Sequence, residues 1–264
     1  MDFLSHFRRE VGAFEAAVRR AAEGGEAPFV PSCPGWTAAD LVAHLGGVHR
    51  GVFHVIDARL TTWPGFSDPS VFKLPADMTG WPRPDGAPNV GPLAASLVDW
   101  FAEGAEKLAA LFGEHDPAEA AWTWSREQTV GFWLRVQAIE AAVHRWDAEA
   151  ALGAAEPLAA DLARDAVGHT FEVMAPARRA WRQAPPGAGE RFGFRQTDGD
   201  GAWTVTFDGD RIDLAPSAKE ADVEVAGTAS DLALFLWHRR SADELAVRGD
   251  RALLDRYFEL VPPV

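Results

Sequence analysis

The stretch VQAIEAAVHRWDAEAALG, residues 136–153, decides how the whole chain is read. Its apolar residues recur at helical spacing, Thr129 upstream offers an N-cap, and Gly153 supplies the stop. Within it Glu140 and His144 are four residues apart, so on a helix their side chains lie only about 40° apart around the axis. Trp133, Val136 and Gln137 fall within about 60° of Glu140, which puts the ionisable pair on the apolar side. A carboxylate and an imidazole placed there need a partner or a metal, because an isolated buried charge is costly. Asp147 shares that face, about 20° from Glu140. It reads as a further ligand, as an acceptor for an imidazole N–H, or as a partner of Arg145.

Working toward the N-terminus, PSCPGWTAADLVAHLGGVHR (31–50) opens a second helix. Thr37 stands at the N-cap, with Asp40 completing a capping box. The spacing predicts a helix over 38–60 that turns Leu41, Leu45, Val48, Val52, Val55 and Ile56 inward. His44 lies along the Leu41–Val48 edge, whereas His49 and His54 are about 140° and about 280° around from it. His44, Glu140 and His144 would form a His₂Glu set with open coordination positions, suited to a catalytic divalent metal, zinc first. Blander readings compete. A lone buried histidine is usually a hydrogen-bonded core residue, and Glu-x-x-x-His is common as a surface ion pair. Spacing alone does not separate these.

Two more helices complete a bundle. Residues 2–23 carry Phe3, Phe7, Val11, Phe14 and Val18 on one face, with Asp2 as N-cap and Gly24-Gly25 as the stop. Residues 93–112 carry Leu93, Leu97, Trp100, Phe101, Leu108, Leu111 and Phe112. Between helices two and three, residues 61–92 hold seven prolines, which excludes a regular helix or a central strand. A connection this long reads as a lid or a surface excursion, and Trp63, Phe66, Phe72 and Trp81 argue that it packs on something. Pro157 fits the first turn of a helix over 156–180.

The pattern then changes. APPGAGE (184–190) reads as a linker, and beyond it the apolar period drops to two. Trp203, Val205 and Phe207 mark one strand, with further strands at 211–214, 222–225 and 244–248 and helices at 228–238 and 250–260. The fold class is mainly α with a C-terminal α+β part: a helical bundle over 1–183 and a small α+β domain over 191–264.

As whole motifs, 31–50 and 136–153 resemble the mycothiol-dependent maleylpyruvate isomerase family, and residues 221–254 resemble it more loosely. The resemblance implies a DinB-like four-helix bundle followed by a sterol-carrier-like domain. It puts the family's metal ligands on His44, Glu140 and His144, and implies actinobacterial mycothiol as thiol cofactor. It also implies an active arginine in the C-terminal domain, for which Arg239, Arg240 and Arg248 are the candidates to hold a substrate carboxylate.

The chemistry this implies is cis–trans isomerisation. A thiolate adds to the double bond of a maleyl-type substrate, the resulting single bond rotates, and elimination returns the fumaryl product. An S-transferase that leaves the thiol attached to an electrophile would use the same ligands. A non-catalytic metal- or ligand-binding module is the third reading.

Composition narrows the field. A single cysteine, Cys33, excludes internal disulfides and thiolate-rich zinc sites, so any thiol chemistry draws on a small molecule. With Pro34-Gly35 after it and no base nearby in sequence, Cys33 reads as a packed or incidental thiol. A net charge of −14 argues against non-specific nucleic-acid binding and makes local arginines necessary for an anionic substrate. The N-terminus lacks a signal-peptide pattern and no stretch is apolar enough to span a bilayer, so a soluble, cytoplasmic protein without membrane partners is expected.

Overall fold

A computed structural model describes residues 1–63, 69–83, 85–217 and 219–263. The chain divides into two compact units, Met1–Glu156 and Pro157–Val264. The boundary precedes the 184–190 stretch expected to mark it, so the helical segment after Pro157 belongs to the second unit.

The first unit is built on α1 (Phe3–Glu23), α2 (Ala38–Asp57), a one-turn α3 (Pro69–Phe72), α4 (Ala95–Glu114) and α5 (Val130–Ala151). The four long helices form a closed bundle in which α1 and α2 each pack against both α4 and α5. Three of their N-termini, those of α1, α2 and α5, are closed by the expected caps. Asp2 accepts from the Ser5 backbone N–H at 3.0 Å, and Thr129 Oγ1 accepts from that of Phe132 at 3.1 Å. The Thr37–Asp40 box closes at the start of α2, and Gly153, at φ 69°, follows the end of α5. Phe7, Phe14, Leu41, Leu45, Phe101 and Val143 are fully buried between the helices. Each such side chain contributes about 2 kcal/mol.

Glycines on α2 let indoles approach it closely. A Cβ on Gly46 would lie 2.3 Å from the Trp100 ring, and one on Gly51 would lie 2.6 Å from Trp63. The 61–92 connection is tied down accordingly. Trp63 meets Trp133 of α5 at 5.9 Å between rings, and Trp81 meets Trp100 of α4 at 5.3 Å. Trp100 Nε1 donates to the Phe72 carbonyl at 2.9 Å, and Asn89 donates to both oxygens of Asp40. Phe66 lies outside the described residues.

The second unit begins with α6 (Ala160–His169), which passes through a π-helical turn at Thr170–Met174 into α7 (Ala175–Arg182). Pro157 therefore lies ahead of the helix rather than in its first turn. A five-stranded sheet follows, in the order β3-β2-β1-β4-β5. The strands are β1 (Gly187–Gln196), β2 (Ala202–Gly209), β3 (Arg211–Ala215), β4 (Val223–Gly227) and β5 (Ala246–Gly249). β1 is the central strand, antiparallel to β2 and parallel to β4. Phe194 pairs with Trp203 and Val225, and Phe192 with Val205 and Val223, so one face is apolar. α8 (Ala229–Leu236) and α9 (Leu253–Leu260) accompany the sheet, with Tyr257 of α9 set among Phe192, Phe194 and Phe207.

The strand β1 overturns the linker reading of 184–190. Gly187 and Gly189 are structural: a Cβ on Gly187 would lie 2.5 Å from Phe207 backbone, and Gly189, at φ 98°, sits in a β-bulge.

Candidate metal centre

α2 and α5 bring the three residues singled out by spacing to one point. His44 Nε2 lies 3.4 Å from Glu140 Oε1, and His144 Nε2 lies 3.9 Å from the same oxygen. One ligand atom from each of His44, Glu140 and His144 lies within 4.8 Å of the others. Four-coordinate zinc with ligands near 2.0–2.1 Å spaces its donors about 3.3 Å apart, so a small contraction would close this set on an ion. The two imidazole rings stand nearly perpendicular, 5.2 Å between centroids. His44 is the exposed member, with 34% of its side chain open against 6% for His144.

The surrounding contacts fit metal binding. His144 Nδ1 lies 2.9 Å from Asp147 Oδ2; a carboxylate only accepts, so Nδ1 carries the proton and the Nε2 lone pair is free for an ion. Asp147 also accepts from Ser32 Oγ at 2.5 Å and lies 3.6 Å from Cys33 Sγ. Gln137 Nε2 donates to Glu140 Oε2 at 2.8 Å, leaving Oε1 to face the histidines. Asp147 thus serves as an acceptor for the imidazole N–H, one of the three roles open to it. Arg145 instead pairs with Glu10 at 2.9 Å and Glu149 at 2.6 Å.

Electrostatics gives the protonation states a cation needs. Burial pushes Glu140 up, but the His44 hydrogen bond and the neighbouring imidazoles outweigh it and hold the carboxyl down at about 2. Burial lowers His144 despite the opposing hydrogen bond and charge of Asp147. Glu140 is thus ionised and His144 neutral at pH 7.

Sequence spacing missed several neighbours. Ser32 and Trp36, whose ring lies 5.0 Å from His44, come from the loop before α2, where no periodicity operates. His49, about 140° off the expected stripe, is fully buried against Phe7 and Phe101, and neither ring nitrogen has a hydrogen-bond partner among the described residues. Burial pushes its pKa down to about 3. A single stripe fails for α2 because this helix is packed on more than one side.

The C-terminal arginines lie in the second unit. Arg240 pairs with Asp231 at 3.2 Å and Glu244 at 2.8 Å. Arg248 is exposed on β5 opposite Glu224. Arg239, just beyond α8, donates to the Trp237 carbonyl at 2.8 Å.

Fold and site together define a two-unit protein whose helical bundle carries a candidate His₂Glu metal centre. The Mycothiol maleylpyruvate isomerase N-terminal domain matches residues 7–149, and the C-terminal domain of the same family matches residues 161–256. The chain belongs to the mycothiol-dependent maleylpyruvate isomerase family. A crystal structure of the mycothiol-dependent maleylpyruvate isomerase is similar at TM-score 0.60 and 13% identity, covering 93% of this chain and 91% of that one. A variant of that enzyme is similar at TM-score 0.59 and 15% identity, with the same coverage of both chains. No curated protein matches the chain. No helix among the described residues is long and apolar enough to cross a membrane.

Proposed function

We propose that the chain is a metal- and mycothiol-dependent isomerase of the maleylpyruvate isomerase type. One observation carries this reading: the convergence of His44, Glu140 and His144, with Asp147 set behind His144. These three side chains would hold a divalent ion, zinc by donor type. Such an ion would supply Lewis acidity, the chemistry that stabilises a thiolate at neutral pH. A small-molecule thiol would supply the nucleophile, whose reversible addition would turn a double bond into a rotatable single bond.

The chain's own residues do the rest. Asp147 fixes the His144 tautomer through the Nδ1 proton. Gln137 keeps Glu140 turned toward the histidines. His44 is the ligand nearest solvent and borders the approach for thiol and substrate, with Trp36 as an apolar wall beside it. Arg239, Arg240 and Arg248 remain the candidates for a substrate carboxylate.

The test is turnover of maleylpyruvate with mycothiol, with product mass recorded. An isomerase returns product of unchanged mass, in thiol-dependent fashion, and activity vanishes in His44→Ala. A product heavier by the thiol would make the protein an S-transferase using the same donor set. Metal uptake without turnover of any electrophile would leave a binding module.

A further inference from the structure

We infer that the second unit carries an oxyanion-binding site built on Arg178, independent of the metal centre. Arg178 of α7 is only 3% exposed, yet its guanidinium makes no hydrogen bond or ion pair with any described residue, and its Nε is buried without a partner. A buried guanidinium without a counter-ion is unusual, since burying a charge is costly unless it is paired. Its carbon lies 5.2 Å from the centre of the Trp237 ring, a cation–π contact that offsets only part of that cost.

The groups around it lack acceptors. Trp237 Nε1 and Tyr257 Oη are buried without a hydrogen-bond partner among the described residues. An arginine Nε–H and an indole N–H can only donate, and a phenol readily does so. His238 is held in the left-handed region at φ 60°, a conformation that favours glycine, immediately after α8; its ring packs on Phe258 at 3.8 Å. Trp237 stacks on Arg178, His238 follows it in the chain and packs on Phe258, and Phe258 meets Tyr257 at 5.1 Å between rings, which gathers these side chains in one region. Arg239 adds a second like charge nearby. Burial raises Tyr257 and keeps its phenol protonated as a donor, while Arg178, lowered to about 10 by burial, stays charged at pH 7. A cation flanked by unpaired donors calls for an anion with several acceptor lone pairs, a carboxylate or a phosphate.

The test is thermal unfolding of the full chain in sodium acetate, sodium phosphate and sodium chloride at equal ionic strength. For the wild type, the site predicts a Tm several degrees higher in acetate or phosphate than in chloride; which salt acts tells carboxylate from phosphate. The shift should be lost in Arg178→Met and retained in His44→Ala. Tyr257→Phe, which keeps the ring and removes one donor, should lose part of the shift and decides the matter if Arg178→Met does not fold. Equal wild-type Tm in all three salts, or an undiminished shift in Arg178→Met or Tyr257→Phe, overturns the inference.

Discussion

His144 and Asp147, one helical turn apart on α5, are joined at 2.9 Å from Nδ1 to Oδ2, and this contact orients the opposite ring nitrogen toward Glu140. Such an acceptor behind a ligand fixes its tautomer and raises its basicity. Asp147→Ala should therefore weaken zinc affinity by about 10- to 100-fold while leaving the three ligands in place. Competition with a chromogenic chelator measures this. Unchanged affinity in a folded variant would remove Asp147 from the centre.

His49 sets an acid limit on stability. Its folded pKa, about 3, lies below the ordinary 6.5, so the folded state holds a neutral ring that the unfolded chain can protonate. The stabilisation is complete above the ordinary value and is lost as pH falls toward the folded one. At about 1.4 kcal/mol per unit, about 2 kcal/mol is lost by pH 5. Denaturant unfolding of metal-free protein at pH 7 and pH 5 should show the wild type losing about that much more than His49→Leu. An equal loss in both would mean that His49 is not the acid-sensitive group.

Two adjacent glycines of α2 should behave oppositely. Trp100 is anchored by its bond to the Phe72 carbonyl and by Arg50 at 4.7 Å, so it cannot retreat from a new methyl at position 46. Gly46→Ala should destabilise by about 1–3 kcal/mol through overpacking. A Cβ on Gly47 meets nothing within 4 Å among the described residues. Gly47→Ala should gain about 0.5–1 kcal/mol from reduced chain entropy. Chemical unfolding of both variants checks the contrast.

Much of this architecture was legible in sequence because helices announce themselves locally. Asp2, Thr37, Thr129 and Gly153 mark ends that the structure keeps, and four-residue spacing put Glu140 and His144 on one face. Strand β1 was not legible, because Gly187 and Gly189 answer to a neighbouring strand and a bulge, not to chain flexibility. The unit boundary at Glu156 was hidden for a related reason: α6 is helical like the bundle, but it packs on α8 of the second unit. His49 and Arg178 were invisible as well, since their isolation depends on what surrounds them in three dimensions.

The most direct measurement is metal content by elemental analysis of the purified protein after dialysis against zinc, in wild type and Glu140→Ala. The His₂Glu centre predicts about one zinc per wild-type chain, and a large loss in Glu140→Ala with the fold retained. A wild type that takes up no metal, or a Glu140→Ala variant that binds it as well as the wild type, would contradict the proposed centre.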